Sequence, residues 1–254
     1  MLACDRSAGG GVAEGMRYAV LGGGQRIRPA LALRVARMLE AERPMTMRAA
    51  AAVELLHCAS LVVDDLPCMD DAATRRGRAA CHRVFGEATA LLASFSLVAL
   101  AARSVLPADT GSWASRRLVD FARRLLGMLD CGSLVAGQAL DLELAGESRR
   151  REWTRISELK TAPLFTLAVR AGMIFANESE ASAKSLERFG RAFGLAFQMA
   201  DDWADGEAAS EEALVERLDA ARRALGGWGD RAQPLHGLLD YLYGRATQAD
   251  CRYR

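Results

Sequence analysis

The stretch Leu61-Val62-Val63-Asp64-Asp65-Leu66-Pro67-Cys68-Met69-Asp70-Asp71 sets four carboxylates at the end of an apolar run. If that run is a helix, its C-terminal dipole disfavours anions there. The cluster is costly unless cations neutralise it. Hard oxygen donors at this density suit Mg2+, which takes one or two carboxylates and completes its shell with water and phosphate oxygens. A single acidic pair is more often a solvated loop, but a second cluster shifts the balance. Gln198, Asp201, Asp202 and Asp205 recur at spacings of three and four, which puts them on one helix face. Their neighbours Phe193, Leu195, Phe197, Met199 and Trp203 are mostly apolar, unlike a solvated face. Two such clusters imply facing walls that hold metal ions around a polyphosphate.

Cations stand near the acids in sequence. Arg75 and Arg76 follow the first cluster directly, and Arg suits bidentate phosphate contact. Of 33 basic residues only Lys160 and Lys184 are lysines, so Lys160, beside Thr161, stands out. A compact ammonium next to a kink opened by Pro163 reaches a phosphate where a planar guanidinium does not. No Ser-His or Cys-His arrangement marks a nucleophile. His57 alone reads as a core histidine, and His82 and His236 match no motif.

The elements that position these groups are helical. Ala (48) and Leu (34) make about a third of the 254 residues, whereas Val, Ile and Thr number 13, 3 and 8. That balance favours helix and argues against a sandwich, a barrel or a doubly wound sheet. Helices are predicted over about 12–21, from the turn holding Pro29 to about Leu39, and from a Thr46 cap to Leu66, where Pro67 ends or kinks the run. Further helices are predicted over about 86–103, 112–130, 132–145, 152–176, 181–203, 211–225 and 234–246, with a polar loop around Arg75-Arg76-Gly77. Residues 1–11 read as frayed. No repeat or linker divides the chain, so one all-α domain of eight to ten helices over 1–254 is expected, burying roughly three quarters of its unfolded surface.

A net charge of +1 gives no reason to expect nucleic acid as a partner. Six cysteines without CxxC or zinc spacing suggest reduced thiols and a cytoplasmic protein. The N-terminus shows no apolar leader, and the longest uncharged stretch, Ala88 to Ala102, falls short of the ~20 residues of a membrane span, so none is expected.

With these residues in view, Asp64-Asp65-x-x-x-x-Asp70 followed by Arg75-Arg76-Gly77, with a later Asp201-Asp202-x-x-Asp205, resembles the two aspartate-rich motifs of trans-isoprenyl diphosphate synthases. The likeness continues in order through Arg17-Tyr18-Ala19, Gly23-Gly24-Gln25-Arg26-Ile27-Arg28-Pro29, His57-Cys58-Ala59-Ser60-Leu61, Gly86-Glu87-Ala88, Gly137-Gln138, Lys160-Thr161 and Phe197-Gln198. It spans about residues 16–206. The detail Cys68-Met69-Asp70-Asp71-Ala72 is similar to geranylgeranyl diphosphate synthases of bacterial carotenoid pathways.

The resemblance implies an isoprenoid synthase helical bundle around a central cavity, acting as a homodimer. It implies three Mg2+ held by Asp64, Asp65, Asp70, Asp201, Asp202 and Asp205. The allylic diphosphate would be met by Arg75, Lys160, Thr161 and Gln198, and isopentenyl diphosphate by Gln25, Arg28, His57 and Arg76. Ionisation of the allylic C–O bond, attack by isopentenyl diphosphate and loss of a proton would lengthen the chain. Ala59 and Ser60, small residues before the first aspartate, imply a twenty-carbon product over fifteen.

Three departures bear on activity. Gln25 stands where the family usually has Lys, Ser94-Phe95 lies near a common Gly-Asp, and the Gly-Lys-rich loop expected after Asp205 is missing. A class I terpene cyclase and a non-catalytic synthase subunit are the alternatives. The paired arginines, Lys160-Thr161 and the second aspartate motif disfavour the cyclase.

Overall fold

In a computed structural model, residues 10–41, 43–108, 111–204 and 210–250 are described, with the side chains of 248–250 excepted. Among these residues the chain is all-α apart from one two-stranded hairpin. Asp205 and the segment that follows it, 206–209, lie outside the described residues, as do 1–9.

Helix α1 (Gly10–Leu21) stops at Gly22-Gly23-Gly24, and α2 (Ile27–Met38) carries Pro29 in its first turn, where a missing N–H costs nothing. Helix α3 (Pro44–Asp64) starts two residues before the expected Thr46 cap. The fixed φ of Pro44 suits the first helical position, and the Thr46 hydroxyl donates instead to the Ala41 carbonyl at 3.3 Å. The helix ends at Asp64, a little short of Leu66. The next turn folds back so that the Asp70 N–H donates to the Asp64 carbonyl at 2.9 Å.

The polar loop after it is a hairpin, β1 (Thr74–Arg75) paired with β2 (Arg78–Ala79). Arg76 (φ 55) and Gly77 (φ 73) both sit in the left-handed region that a tight two-residue turn demands. Then come α4 (Cys81–Phe85), α5 (Glu87–Val105), α6 (Trp113–Gly127) and α7 (Leu134–Glu143). Ser112 caps α6, accepting from the Ser115 N–H at 3.0 Å.

The helix expected over 152–176 is two helices, preceded by a short α8 (Gly146–Arg151) that sequence periodicity did not show. Helix α9 (Trp153–Lys160) ends at Thr161, and α10 (Ala162–Met173) begins with Pro163 in its first turn. Pro163 thus breaks the run and does not merely kink it, because its nitrogen has no proton for the ladder. The rest is α11 (Glu180–Ala204), α12 (Glu211–Ala224), a 3-10 turn at Gly229–Ala232 and α13 (Gln233–Asp250).

A continuous apolar core joins α2, α3, α5, α10 and α11 through fully buried Leu31, Leu56, Leu97, Phe165, Phe189 and Phe193. By length and composition α3 and α5 would each suffice to cross a membrane, a longer reach than the uncharged stretch alone gave. Here α3 is mostly buried among its neighbours, while α5 leaves Leu91, Leu92 and Phe95 exposed.

Candidate active site

The end of α3, the hairpin, the α9–α10 junction and the last turns of α11 line one cavity of about 1090 Å³. Asp64, Arg75, Arg76, Lys160, Thr161, Gln198 and Asp201 all face it. So do Gln25, Arg28, His57, Ala59 and Ser60. Twelve of the residues singled out from sequence are thereby brought to one space.

Three further candidates, Asp65, Asp70 and Asp202, are not. Successive residues on a helix point about 100° apart, so Asp64 and its neighbour Asp65 cannot share a direction. Asp65 is almost fully buried away from the cavity, accepting from Arg75 Nη2 at 2.6 Å and Nε at 2.9 Å. Asp202 is turned to its own helix and to α9: Gln198 Nε2 donates to it at 2.8 Å and Trp153 Nε1 donates to its other oxygen. Asp70 is exposed and outside the cavity lining.

The carboxylates that do face the cavity are held differently. Burial pushes the Asp64 carboxyl up to about 6, with Asp70 and Asp65 adding to the shift and Lys160 and Arg75 opposing it. Asp201 accepts a hydrogen bond from Arg245 of α13. Lys160 Nζ donates to Asp141 Oδ2 at 2.8 Å, and Thr161 Oγ1 to Gln198 Oε1 at 2.8 Å.

A second group of cations surrounds Glu54. Arg26 Nη1 lies 2.5 Å from Glu54 Oε1, and Arg76 Nη2 lies 3.7 Å from the same oxygen. Arg76 also donates to the Gly23 carbonyl at 2.8 Å. Gly24 (φ 104) permits this approach, since a Cβ there would sit 2.5 Å from the Arg76 guanidinium carbon. Arg28 is buried with its guanidinium 4.5 Å from the Phe165 ring, and desolvation lowers its pKa to about 10. Desolvation and then Arg28, Arg76, Arg75 and Arg26 depress the His57 imidazole well below its ordinary value, so it is neutral near pH 7.

Below the charged mouth the wall turns apolar, with Ala59, Val98, Leu129, Leu134, Leu142 and Leu164. Ala59 is 1% exposed, and the Ser60 hydroxyl is tied to the His57 carbonyl at 2.9 Å. The cavity therefore pairs a cationic and carboxylate mouth with a hydrocarbon-compatible body.

Among the described residues no three of His, Cys, Asp and Glu come together to hold an ion by themselves. The donor set offers single hard carboxylates, Asp64 from α3 and Asp201 from α11. That fits a divalent cation whose remaining ligands are phosphate oxygens and water.

The family model described as Polyprenyl synthetase matches residues 11–214, which include both aspartate clusters, the hairpin and the α9–α10 junction. The chain belongs to the polyprenyl synthetase family. A relative named geranylgeranyl pyrophosphate synthase 6, mitochondrial, of Arabidopsis thaliana is 39% identical over 188 residues, covering 71% of this chain and 55% of its own. The chain thus spans little more than half the length of that relative. Among solved structures, a geranyltransferase from Legionella pneumophila superposes with TM-score 0.85 at 29% identity, covering 96% of this chain and 90% of its own. An FPP/GFPP synthase from Zymomonas mobilis does so with TM-score 0.85 at 29% identity, covering 95% and 91%.

Several residues at this site carry little or no signal in the sequence. Glu54 lies one helical turn before His57, and Asp141 one turn after Gln138, so both were within reach of helical spacing. Gln138 belonged to a quoted motif, and both atoms of its buried amide lack a partner at the cavity wall. Trp153 and Arg245 gave no local signal, since each acts on α11 from a distant position, Arg245 from beyond the matched segment.

Proposed function

We propose that the protein condenses isopentenyl diphosphate with an allylic diphosphate, with geranylgeranyl diphosphate favoured over farnesyl diphosphate as product. The observation that carries this reading is the single cavity itself. Asp64 and Asp201 from the two motifs share its mouth with Arg28, Arg75, Arg76 and Lys160 above an apolar body, in a cavity of about 1090 Å³ as a whole. Mg2+, as three ions, would supply Lewis-acid neutralisation of the leaving diphosphate, with Asp64 and Asp201 as the cavity-facing residues to hold it.

The chain's own residues have distinct tasks. Lys160, Thr161, Gln198 and Arg75 orient the allylic diphosphate, so that its C–O bond breaks with the electron pair leaving on oxygen. Arg28, Arg76, Gln25 and neutral His57 hold isopentenyl diphosphate with its double bond toward the resulting cation. The proton lost after attack passes to the departing diphosphate. The apolar wall excludes water, which would otherwise trap the cation as an alcohol. Small Ala59 and tethered Ser60 leave the body open for a twenty-carbon chain.

A homodimer is part of the proposal. Leu91, Leu92 and Phe95 of α5 form an exposed apolar face, and Phe95, Leu129, Val135 and Leu142 are at once exposed and part of the cavity wall. A second copy seated there covers that face and closes the cavity side. Small substrates, no nucleic acid and no membrane span complete the reading, with the cytoplasm as location; buried free Cys58 and Cys81 suit a reducing compartment.

The test is incubation of the purified protein with Mg2+, isopentenyl diphosphate and each allylic diphosphate in turn, with product length read by mass spectrometry. Elongation to twenty carbons is expected. No elongation from any primer overturns the reading, and a cyclised hydrocarbon replaces it with a cyclase.

A further inference from the structure

Arg245 of α13 stands outside the segment that the family model matches, yet its guanidinium binds Asp201 at the cavity mouth. Its Nη2 donates to Asp201 Oδ1, while its buried Nε has no hydrogen-bond partner. The group lies 5.2 Å from the Phe197 ring, which it shares with Arg28 at 5.8 Å, and the buried Arg28 Nε is likewise without a partner. Buried guanidinium donors ordinarily find acceptors. Two of them around one ring, both facing the same cavity, lack what an acceptor-rich anion supplies.

We propose that Arg245 is an internal stand-in cation: it occupies Asp201 while the site is empty and turns to a diphosphate oxygen when a divalent cation takes that carboxylate. This rests on the functional reading above. A divalent ion and a guanidinium compete for the same Asp201 oxygen and repel one another. Arg245 therefore weakens binding of the metal alone. It strengthens binding of metal and diphosphate together, since the displaced guanidinium then gains a doubly charged partner. The coupling is reciprocal, so metal and diphosphate enter as a pair. The side chains of Arg245 and Asp201 are 22% and 34% exposed, which leaves room for the guanidinium to swing toward the cavity.

The experiment uses the full chain, Mn2+ followed by electron paramagnetic resonance, and inorganic pyrophosphate followed by calorimetry. Arg245→Gln is expected to bind Mn2+ alone more than about 5-fold tighter, and pyrophosphate in saturating Mn2+ more than about 5-fold weaker. Arg245→Lys keeps the wild-type pattern in both. Asp201→Asn, which releases Arg245, is expected to bind metal-free pyrophosphate tighter, and this arm stands even if Arg245→Gln fails to fold. Parallel loss of both affinities in folded Arg245→Gln, or no change in either, marks a structural clamp for α13 and overturns the proposal, as does unaltered metal-free pyrophosphate binding by Asp201→Asn. If the wild type binds no Mn2+ with pyrophosphate, the functional reading fails and takes the proposal with it.

Discussion

Lys160 reaches the cavity with its ammonium already tethered: Asp141 accepts from Lys160 Nζ at 2.8 Å through one oxygen and from Arg149 Nε at 2.5 Å through the other. On the proposed function Asp141 is therefore a positioning residue for the lysine that would meet the allylic diphosphate, and a flexible four-carbon stem needs one. Asp141→Ala should leave the charge of Lys160 intact but its place undefined. The expected outcome is a roughly 10- to 100-fold loss of kcat/KM for the allylic substrate. Steady-state kinetics check it, and a wild-type value would show that Lys160 needs no tether.

The same pair sets a pH dependence. Burial raises the Asp141 carboxyl, but hydrogen bonds and charge from Arg149 and Lys160 outweigh it, and the net shift is below the ordinary 3.8. A carboxylate depressed in the folded state adds stability above its unfolded pKa and loses it as pH falls through the folded one. The wild type should therefore melt higher than Asp141→Asn at pH 6 to 8. The gap should narrow as pH falls below that ordinary value and close as pH passes through the depressed folded one, where Asp141 takes up its proton. Thermal scans of the two proteins at pH 7 and pH 3 measure it, and a gap that widened in acid would contradict the assignment.

Asp64 of α3 and Asp201 of α11 face the same cavity, where Glu54 is already paired with Arg26. Asp64→Ala and Asp201→Ala should each reduce turnover by at least about 100-fold, and chelation with EDTA should abolish it reversibly. Asp65→Ala should act differently. It removes the partner of a cation, so Arg75 loses its two hydrogen bonds to Asp65 and the hairpin loosens. Its larger effect should fall on KM. Comparison of kcat and KM across the three variants separates carboxylates that meet the metal from one that positions an arginine.

The helical architecture was legible because Ala and Leu abundance and 3.6-residue periodicity are local properties of the chain. So was the pairing of the two aspartate motifs, since Gln198 and Asp201 announce a shared face through spacing alone. What stayed hidden depends on single residues or on distance. Thr46 looked like a cap, but Pro44 pre-forms the first turn. Thr74–Arg75 and Arg78–Ala79 are strands of two residues each, too short for any alternation. Adjacent Asp64 and Asp65 read alike in sequence, yet helical rotation sends one to the cavity and the other to Arg75. The bond from Arg245 to Asp201 crosses 44 positions, and no local pattern carries that.

Product length should respond to Ser60. Its neighbour Ala59 is 1% exposed and its carbonyl accepts from Ser94 at 3.0 Å, so a large side chain at 59 would strain the α3–α5 contact. Ser60 lines the cavity and is only half-buried, so a phenyl ring at 60 projects into open volume. Ser60→Phe should shift the main product from twenty carbons to fifteen while the rate of the first condensation holds within a few-fold. Chromatography of the dephosphorylated products decides, and an unchanged twenty-carbon product would mean that the chain runs along another wall.

Gly137 tests whether the site depends on how closely α7 approaches α9. A Cβ there would lie 2.5 Å from the Lys160 nitrogen and 2.8 Å from the Leu159 carbonyl carbon, both backbone atoms that cannot swing aside. Gly137→Ala must push α7 off α9, at a cost of about 1–3 kcal/mol for such overpacking. In a chain of this size that corresponds to a fall in Tm of roughly 2–12 °C. Gln138 and Asp141 ride on α7, so the displacement also drags the Lys160 tether, and kcat/KM should fall even at temperatures where the variant is fully folded. Gly127→Ala is the control: its Cβ would meet nothing within 4 Å, and at the end of α6 alanine should be neutral or stabilising by up to about 1 kcal/mol. Calorimetry and kinetics on the pair isolate the helix crossing from the general effect of replacing glycine, because only Gly137 has backbone in the way.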